Sequence, residues 1–243
     1  MKQQFTAKHP WTILAAGAAI QVLTGIPAAW GVFQQPVMDE YGLSEQGAGY
    51  AFGILIAAFG VGCVLGGFLQ DSRGPRCAAL WGTALLCGGF FAAAMLPGGS
   101  AVSFFLAFSI PAGLGTAFLY PSIQSCAQKW YAGRKGLATG VIGGAVGLSG
   151  AFLTVFVRTA VSGFGIVQGI RGAFWALGAV TLPVCLAGSL LLQDPPESKQ
   201  NQQGNGKNEI DLSPWQMLKT KQYWLCAGAV CFSTPAVLLF SPI

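Results

Sequence analysis

The residues best placed to do chemistry sit in two short basic segments between long uncharged runs. The first reads Gly66-Gly67-Phe68-Leu69-Gln70-Asp71-Ser72-Arg73-Gly74-Pro75-Arg76. One carboxylate, Asp71, and two cations, Arg73 and Arg76, fall on a tight turn punctuated by glycine and proline. Such a cluster can pair with a neighbouring helix end in one conformation and release it in another, acting as an electrostatic latch. The plainer reading is a charged turn with a capping Asp. The second segment runs Lys129-Trp130-Tyr131, then Arg134-Lys135-Gly136. Neither segment pairs a nucleophile with a base. His9 is the one histidine, and the seven cysteines include no C-x-x-C pair, so they read as small buried hydrophobes. Catalytic residues, a metal and a cofactor are all expected to be none.

The uncharged runs carry a sparse set of polar groups. Ser109, Gly113, Thr116, Tyr120 and Gln124 fall on one helical stripe, and Gln21, Thr24 and Ala28 share another face. Polar groups in a membrane span tend to face an interior or a wet path. These stripes are therefore the candidate cavity lining, with helix–helix hydrogen bonding as the equal alternative. Trp30 joins the candidates, and Trp30 and Trp130 read equally as interfacial anchors.

The elements that must hold these residues are set by charge. Of 243 residues, 53% are hydrophobic and 9% charged, with 13 Lys and Arg, 8 Asp and Glu, and a net charge of +5. A soluble domain carries about 25% charged residues. Composition thus excludes a soluble enzyme, a disordered chain and a nucleic-acid binder. No Asp, Glu, Lys or Arg occurs in 9–38, 46–70, 77–128, 136–157, 172–193 or 222–243. A spanning helix needs roughly 20 apolar residues, so 77–128 holds two, turning at Pro97-Gly98-Gly99-Ser100. The runs are too long and continuous for barrel strands, which leaves helices.

Orientation follows the cations. With the N-terminus cytoplasmic, Lys2, Lys8, Arg73, Arg76, Lys129, Arg134, Lys135, Lys199, Lys207, Lys219 and Lys221 all lie inside, and Arg158 and Arg171 outside. The first run is too long for a signal-peptide core. Glycine is abundant, 35 residues, and Gly136, Gly140 and Gly144 recur at intervals of four, as do Gly49 with Gly53 and Gly62 with Gly66. These spacings read as close helix packing in lipid. The expected architecture is an all-α membrane protein: a six-span bundle over 1–193, a flexible cytoplasmic linker over 194–213, and an interfacial helix with a seventh transmembrane helix over 214–243.

The turn Gly67, Asp71, Arg73, Gly74, Arg76 resembles the signature loop of the major facilitator superfamily, G-x-x-x-D-[RK]-x-G-[RK]-[RK], with Ser72 and Pro75 departing from it. Within that superfamily, Gly113-Leu114-Gly115, Tyr120-Pro121 and Lys129 to Gly140 resemble the oxalate/formate antiporter family and its monocarboxylate-porter relatives. There the fourth span ends K-W-[FY]-P-x-R-[KR]-G-L-A-x-G. Gly25 to Phe33 and the Ser213-Pro214-Trp215 entry to the seventh span fit too.

The resemblance implies a fold of 3+3 repeated helices and secondary active transport of small organic anions such as oxalate, formate or monocarboxylates by alternating access. It implies a plasma-membrane location, a carboxylate held between cations of a second half, and a bilayer as the other partner. Ala28 stands where that family usually has Tyr, which removes an aromatic wall. By the same resemblance the chain holds one six-span half, the linker and one further helix, so the expected missing partner is a C-terminal half or a second copy. A non-transporting accessory subunit, a homodimer, or a facilitator for another solute is the alternative. A membrane-embedded enzyme lacks every residue it would need.

Overall fold

Proline and glycine punctuate the chain where the uncharged runs change direction. The computed structural model describes residues 10–98, 100–163, 169–195, 216 and 219–240. Helices α1 (Pro10–Thr24) and α2 (Ile26–Tyr41) form the first span. Pro27 lacks an N–H and its ring disfavours the preceding helical turn, so the helix breaks at Gly25. The freed Gly25 carbonyl accepts from Ala28 N at 3.1 Å and lies 3.3 Å from Ser149 Oγ. At the far end Gly42 takes φ +65°, a left-handed cap that Gly adopts without strain. Ser44 then caps α3 (Glu45–Arg73) by accepting from Gly47 N at 3.1 Å.

Between α3 and α4 (Pro75–Met95) stands one residue, Gly74, at φ +87°. Pro75 suits the first helical position, so the turn is tight. The fourth span begins as α5 (Ala101–Phe104), widens into a π-helical turn at Phe105–Ser109, and continues as α6 (Ile110–Trp130). The wide turn lies just before Pro111, whose ring and missing N–H an ordinary turn would not accommodate. A 3-10 turn, Ala132–Arg134, leads to α7 (Lys135–Gly163), and α8 (Gly169–Leu191) completes the set. Among the described residues there are no strands, and six helical segments are long and apolar enough to cross a membrane.

The packing repeats itself. Span 1 packs on span 5 and span 2 on span 4; span 3 packs on span 4 and span 6 on span 1. Span 2 meets span 3 as span 5 meets span 6, and spans 3 and 6 pack on each other. Exchanging the first three spans for the last three returns the same set of neighbours, as two repeated triplets require. Even the proline breaks correspond: Ile26-Pro27-Ala28 in span 1 and Ile110-Pro111-Ala112 in span 4.

Close approach between spans depends on missing side chains. A Cβ on Gly115 would lie 2.5 Å from Leu86 N of span 3, and one on Gly62 would lie 2.6 Å from Ala117 of span 4. Without a hydrophobic drive between helices in lipid, such approach is what dispersion contacts need. The core between spans 1, 3, 4 and 6 is aromatic: Phe108 and Phe174 have ring centroids 4.9 Å apart, and Phe33, Phe90 and Phe104 join them.

Residues 1–195 and 196–243 form two separate units. The second contains a 20-residue helix, α9 (Lys221–Phe240). The expected linker beyond Pro195 and nearly all of the expected interfacial helix lie outside the described residues.

Candidate functional site

The latch turn is positioned by the end of α3. Arg73 lies in its last turn, where a cation favours the negative end of the helix dipole, and Gly74 N donates to Gln70 O at 2.7 Å. Ser72 Oγ donates to Leu69 O at 3.2 Å, which ties that side chain to its own helix. Asp71 and Arg73 are exposed and Arg76 is half-buried. Among the described residues none of the three makes an ion pair within 4 Å. The carboxylate is therefore presented outward from the bundle rather than used within it. Gly67 has open space where a side chain would be.

The second basic segment is anchored. Lys129 Nζ lies 3.0 Å from Asp194 Oδ1 just beyond span 6. Trp130 Nε1 donates to Gln193 O at 2.6 Å, and Cys126 Sγ donates to the same oxygen at 3.3 Å. A carbonyl has two lone pairs, so both donors are accommodated. Tyr131 N donates to Ala127 O and its carbonyl accepts from Arg134 N, closing the turn. Arg134, Lys135 and Gly136 remain exposed.

At the opposite end of the bundle Arg171 Nε lies 2.8 Å from Glu40 Oε1, and its guanidinium sits 5.8 Å from the Tyr41 ring centroid. Tyr41 Oη donates to Ala93 O of span 3 at 2.7 Å. Arg171, assigned to the outer side by its place between uncharged runs, thus serves a contact between spans 1, 3 and 6.

The candidate lining divides. Gln21 and Thr24 are buried, 1% and 0% exposed, and Thr24 Oγ1 donates to Gln21 Oε1 at 3.3 Å. The Gln21 amide nitrogen is buried with no acceptor among the described residues. Ala28 is exposed, beside the Gly150 turn of span 5. Trp30 is 3% exposed, stacked between Phe52 and Phe108 at centroid distances of 5.9 and 6.3 Å. It belongs to the aromatic core of the six-span unit.

On span 4, Ser109 is fully buried with a hydroxyl that has no partner among the described residues, while Thr116 Oγ1 donates back to Ala112 O at 2.8 Å. Tyr120 and Gln124 are half-buried, with the Tyr120 ring against Phe59 at 6.4 Å. Gly113 of the same stripe packs directly on the Leu55 and Ala58 turn of span 2.

The glycine spacings also divide. Gly62 and Gly66 pack on span 4, whereas Gly49, Gly53, Gly136, Gly140, Gly143, Gly144 and Gly147 have nothing within 4 Å of a Cβ position. Spans 2 and 5 thus each carry glycine positions that no other described residue covers. Identical small-residue spacing marks both kinds of face, so spacing alone does not separate them.

Three comparisons agree on what this arrangement is similar to. A sequence profile described as Major Facilitator Superfamily matches residues 13–243. The oxalate:formate antiporter of Oxalobacter formigenes is 24% identical over 208 residues, covering 84% of this chain and 47% of that protein. Human monocarboxylate transporter 2 is 27% identical over 221 residues, covering 88% of this chain and 45% of that one. A crystal structure of a mutant peptide transporter POT in complex with sulfate superposes with a TM-score of 0.58, at 22% identity, over 95% of this chain and 46% of that chain. That likeness concerns the fold. The chain spans about half the length of the curated relatives it matches.

Proposed function

Because the chain belongs to the Major Facilitator Superfamily, we propose that it is part of a secondary active transporter of small organic anions such as oxalate, formate or monocarboxylates, working by alternating access in the plasma membrane. The observation that carries the reading is Gln21. Its carbonyl oxygen is committed to Thr24, and its amide N–H group is buried without an acceptor among the described residues. An unmatched buried donor costs about 1–3 kcal/mol, and a carboxylate oxygen is the acceptor that removes the cost. The names of the relatives supply the same substrate class.

The residues of 1–193 act as the N-terminal half, with the N-terminus and the basic segments cytoplasmic. Gln21, Thr24 and the span 4 groups Ser109, Thr116, Tyr120 and Gln124 supply neutral polar contacts. The compensating cations come from the second half of the fold, because the interiors of these spans hold none. The open glycine faces of spans 2 and 5 receive helices of that half. Asp71, Arg73 and Arg76 latch the cytoplasmic side by pairing with it. The same open faces favour one second reading, in which another copy of this chain covers them and forms a homodimer or an accessory subunit.

The test is counterflow of radiolabelled oxalate, formate and lactate in proteoliposomes bearing the product of the complete reading frame. Saturable exchange that falls at least tenfold in Gln21→Leu supports the reading. Exchange of none of the three acids overturns the substrate class.

A further inference from the structure

Spans 3 and 6 pack antiparallel. Thr83 Oγ1 and Ser189 Oγ lie 3.2 Å apart across their contact, and two turns further along span 3 the Phe91 ring covers Gly178 of span 6, 2.7 Å from its Cβ position. Between these two contacts, one turn on from Thr83 and one turn back from Ser189, stand Cys87 and Cys185. Positions four apart on a helix share a face, so Cys87 and Cys185 stand on the two helix faces that the hydroxyls already bring together. Both are free and buried, 2% and 0% exposed. Neither takes part in the transport mechanism proposed above.

We propose that Cys87 and Cys185 form a two-thiolate site for a soft, linearly coordinating metal cation, with Hg2+ as its probe. Thiolate sulfur selects soft metals. Among the described residues no group of three or more His, Cys, Asp or Glu is assembled, so a tetrahedral zinc ion would lack ligands. Charge makes the next selection. Two thiolates around Hg2+ give a neutral complex, whereas a monovalent cation would leave a net negative charge inside the bilayer, which is costly.

The step balances without redox change: two S–H bonds break, two S–Hg bonds form, and two protons leave with the two chlorides of neutral HgCl2. The metal then staples the third helix of one triplet to the third helix of the other.

The experiment treats the full chain in detergent with one equivalent of HgCl2, then washes it with excess glutathione, a competitor with a single thiol. The expected result is about one Hg retained per chain, and a peptide pair of Cys87 and Cys185 whose mass is that of both peptides plus Hg minus two protons. Cys87→Ala and Cys185→Ala should each retain at least tenfold less. A chain with Cys63, Cys77, Cys126, Cys226 and Cys231 all changed to Ala should retain as much as the parent. Retention on other cysteines, or equal retention by a single variant, overturns the site. Should a single variant lose its helical circular dichroism, peptide mapping of the unsubstituted chain decides: absence of the bridged pair is a refutation.

Discussion

Tyr41 and Trp130 make the same contact at opposite ends of the six-span unit. Tyr41 closes the first span by donating to Ala93 O in the last turn of the third, at 2.7 Å. Trp130 closes the fourth by donating to Gln193 O just past the sixth, at 2.6 Å. Each has an ion pair beside it, Glu40 with Arg171 at 2.8 Å and Lys129 with Asp194 at 3.0 Å. Span 6 is therefore tied at its start to the end of span 1 and beyond its finish to the end of span 4. The triplet repeat explains why an aromatic donor and a late carbonyl recur together.

Removing either donor leaves a partly buried carbonyl one hydrogen bond short. Tyr41→Phe and Trp130→Phe should each destabilise the bundle by about 1–2 kcal/mol, read as a lower midpoint of thermal unfolding in detergent. Arg171→Ala should cost less, about 0.2–1 kcal/mol, because that pair is 30% and 29% exposed and screened by water. A charge-reversed pair, Glu40→Arg with Arg171→Glu, should recover most of that loss.

The glycines should sort by what a methyl group would meet. Gly115→Ala drives a Cβ to 2.5 Å from the Leu86 amide nitrogen, a backbone atom of a packed helix that cannot turn aside. It should destabilise by about 1–3 kcal/mol, as overpacking does. Gly74→Ala should cost about 1–2 kcal/mol through its φ of +87° although the space around it is open. Gly140→Ala meets nothing within 4 Å and should leave the unfolding midpoint of the six-span unit unchanged. If its face receives the second half of the transporter, exchange should nonetheless slow severalfold.

The spans were legible because low charge and length are read directly from the chain. The 52-residue uncharged run over 77–128 breaks after Met95 and resumes at Ala101, around the Pro97-Gly98 turn. Local chemistry decided that boundary. The break at Gly25 and the π-helical turn at Phe105–Ser109 were not read, because Pro27 and Pro111 are compatible with either a kink or a helix start. Nothing local to Arg171 marks its contacts, because its partners, Glu40 and the Tyr41 ring, are more than a hundred residues earlier in the chain. Trp30 illustrates the same limit: a tryptophan in an apolar run reads as anchor, cavity wall or core, and only its stacking on Phe52 and Phe108 selects the core.

Asp71 is presented outward with no ion pair among the described residues. If it latches a second half, Asp71→Asn should lower the rate of exchange severalfold while leaving equilibrium binding of the substrate within about twofold, since a latch shifts conformational populations and not the site itself. Stopped exchange and direct binding measured on the same preparation check this. Unchanged rates would reduce Asp71 to a charged turn.

Orientation rests on a different physical ground, the asymmetry of Lys and Arg between the two sides. Single cysteines placed at Gly133, in the turn between spans 4 and 5, and at Gln202, in the polar segment after span 6, should react with a membrane-impermeant maleimide only after cells are opened. A cysteine at Gly42, between spans 1 and 2, should react in intact cells. Lys129 and Asp194 are in contact at one end of the six-span unit, so the ends of spans 4 and 6 must share a side. Reaction of Gly133→Cys and Gln202→Cys from outside would therefore invert the whole unit, not one loop. Removing the cations of a single loop, Arg134 and Lys135, should leave the labelling pattern intact, because the remaining cations of the basic end still outnumber those opposite.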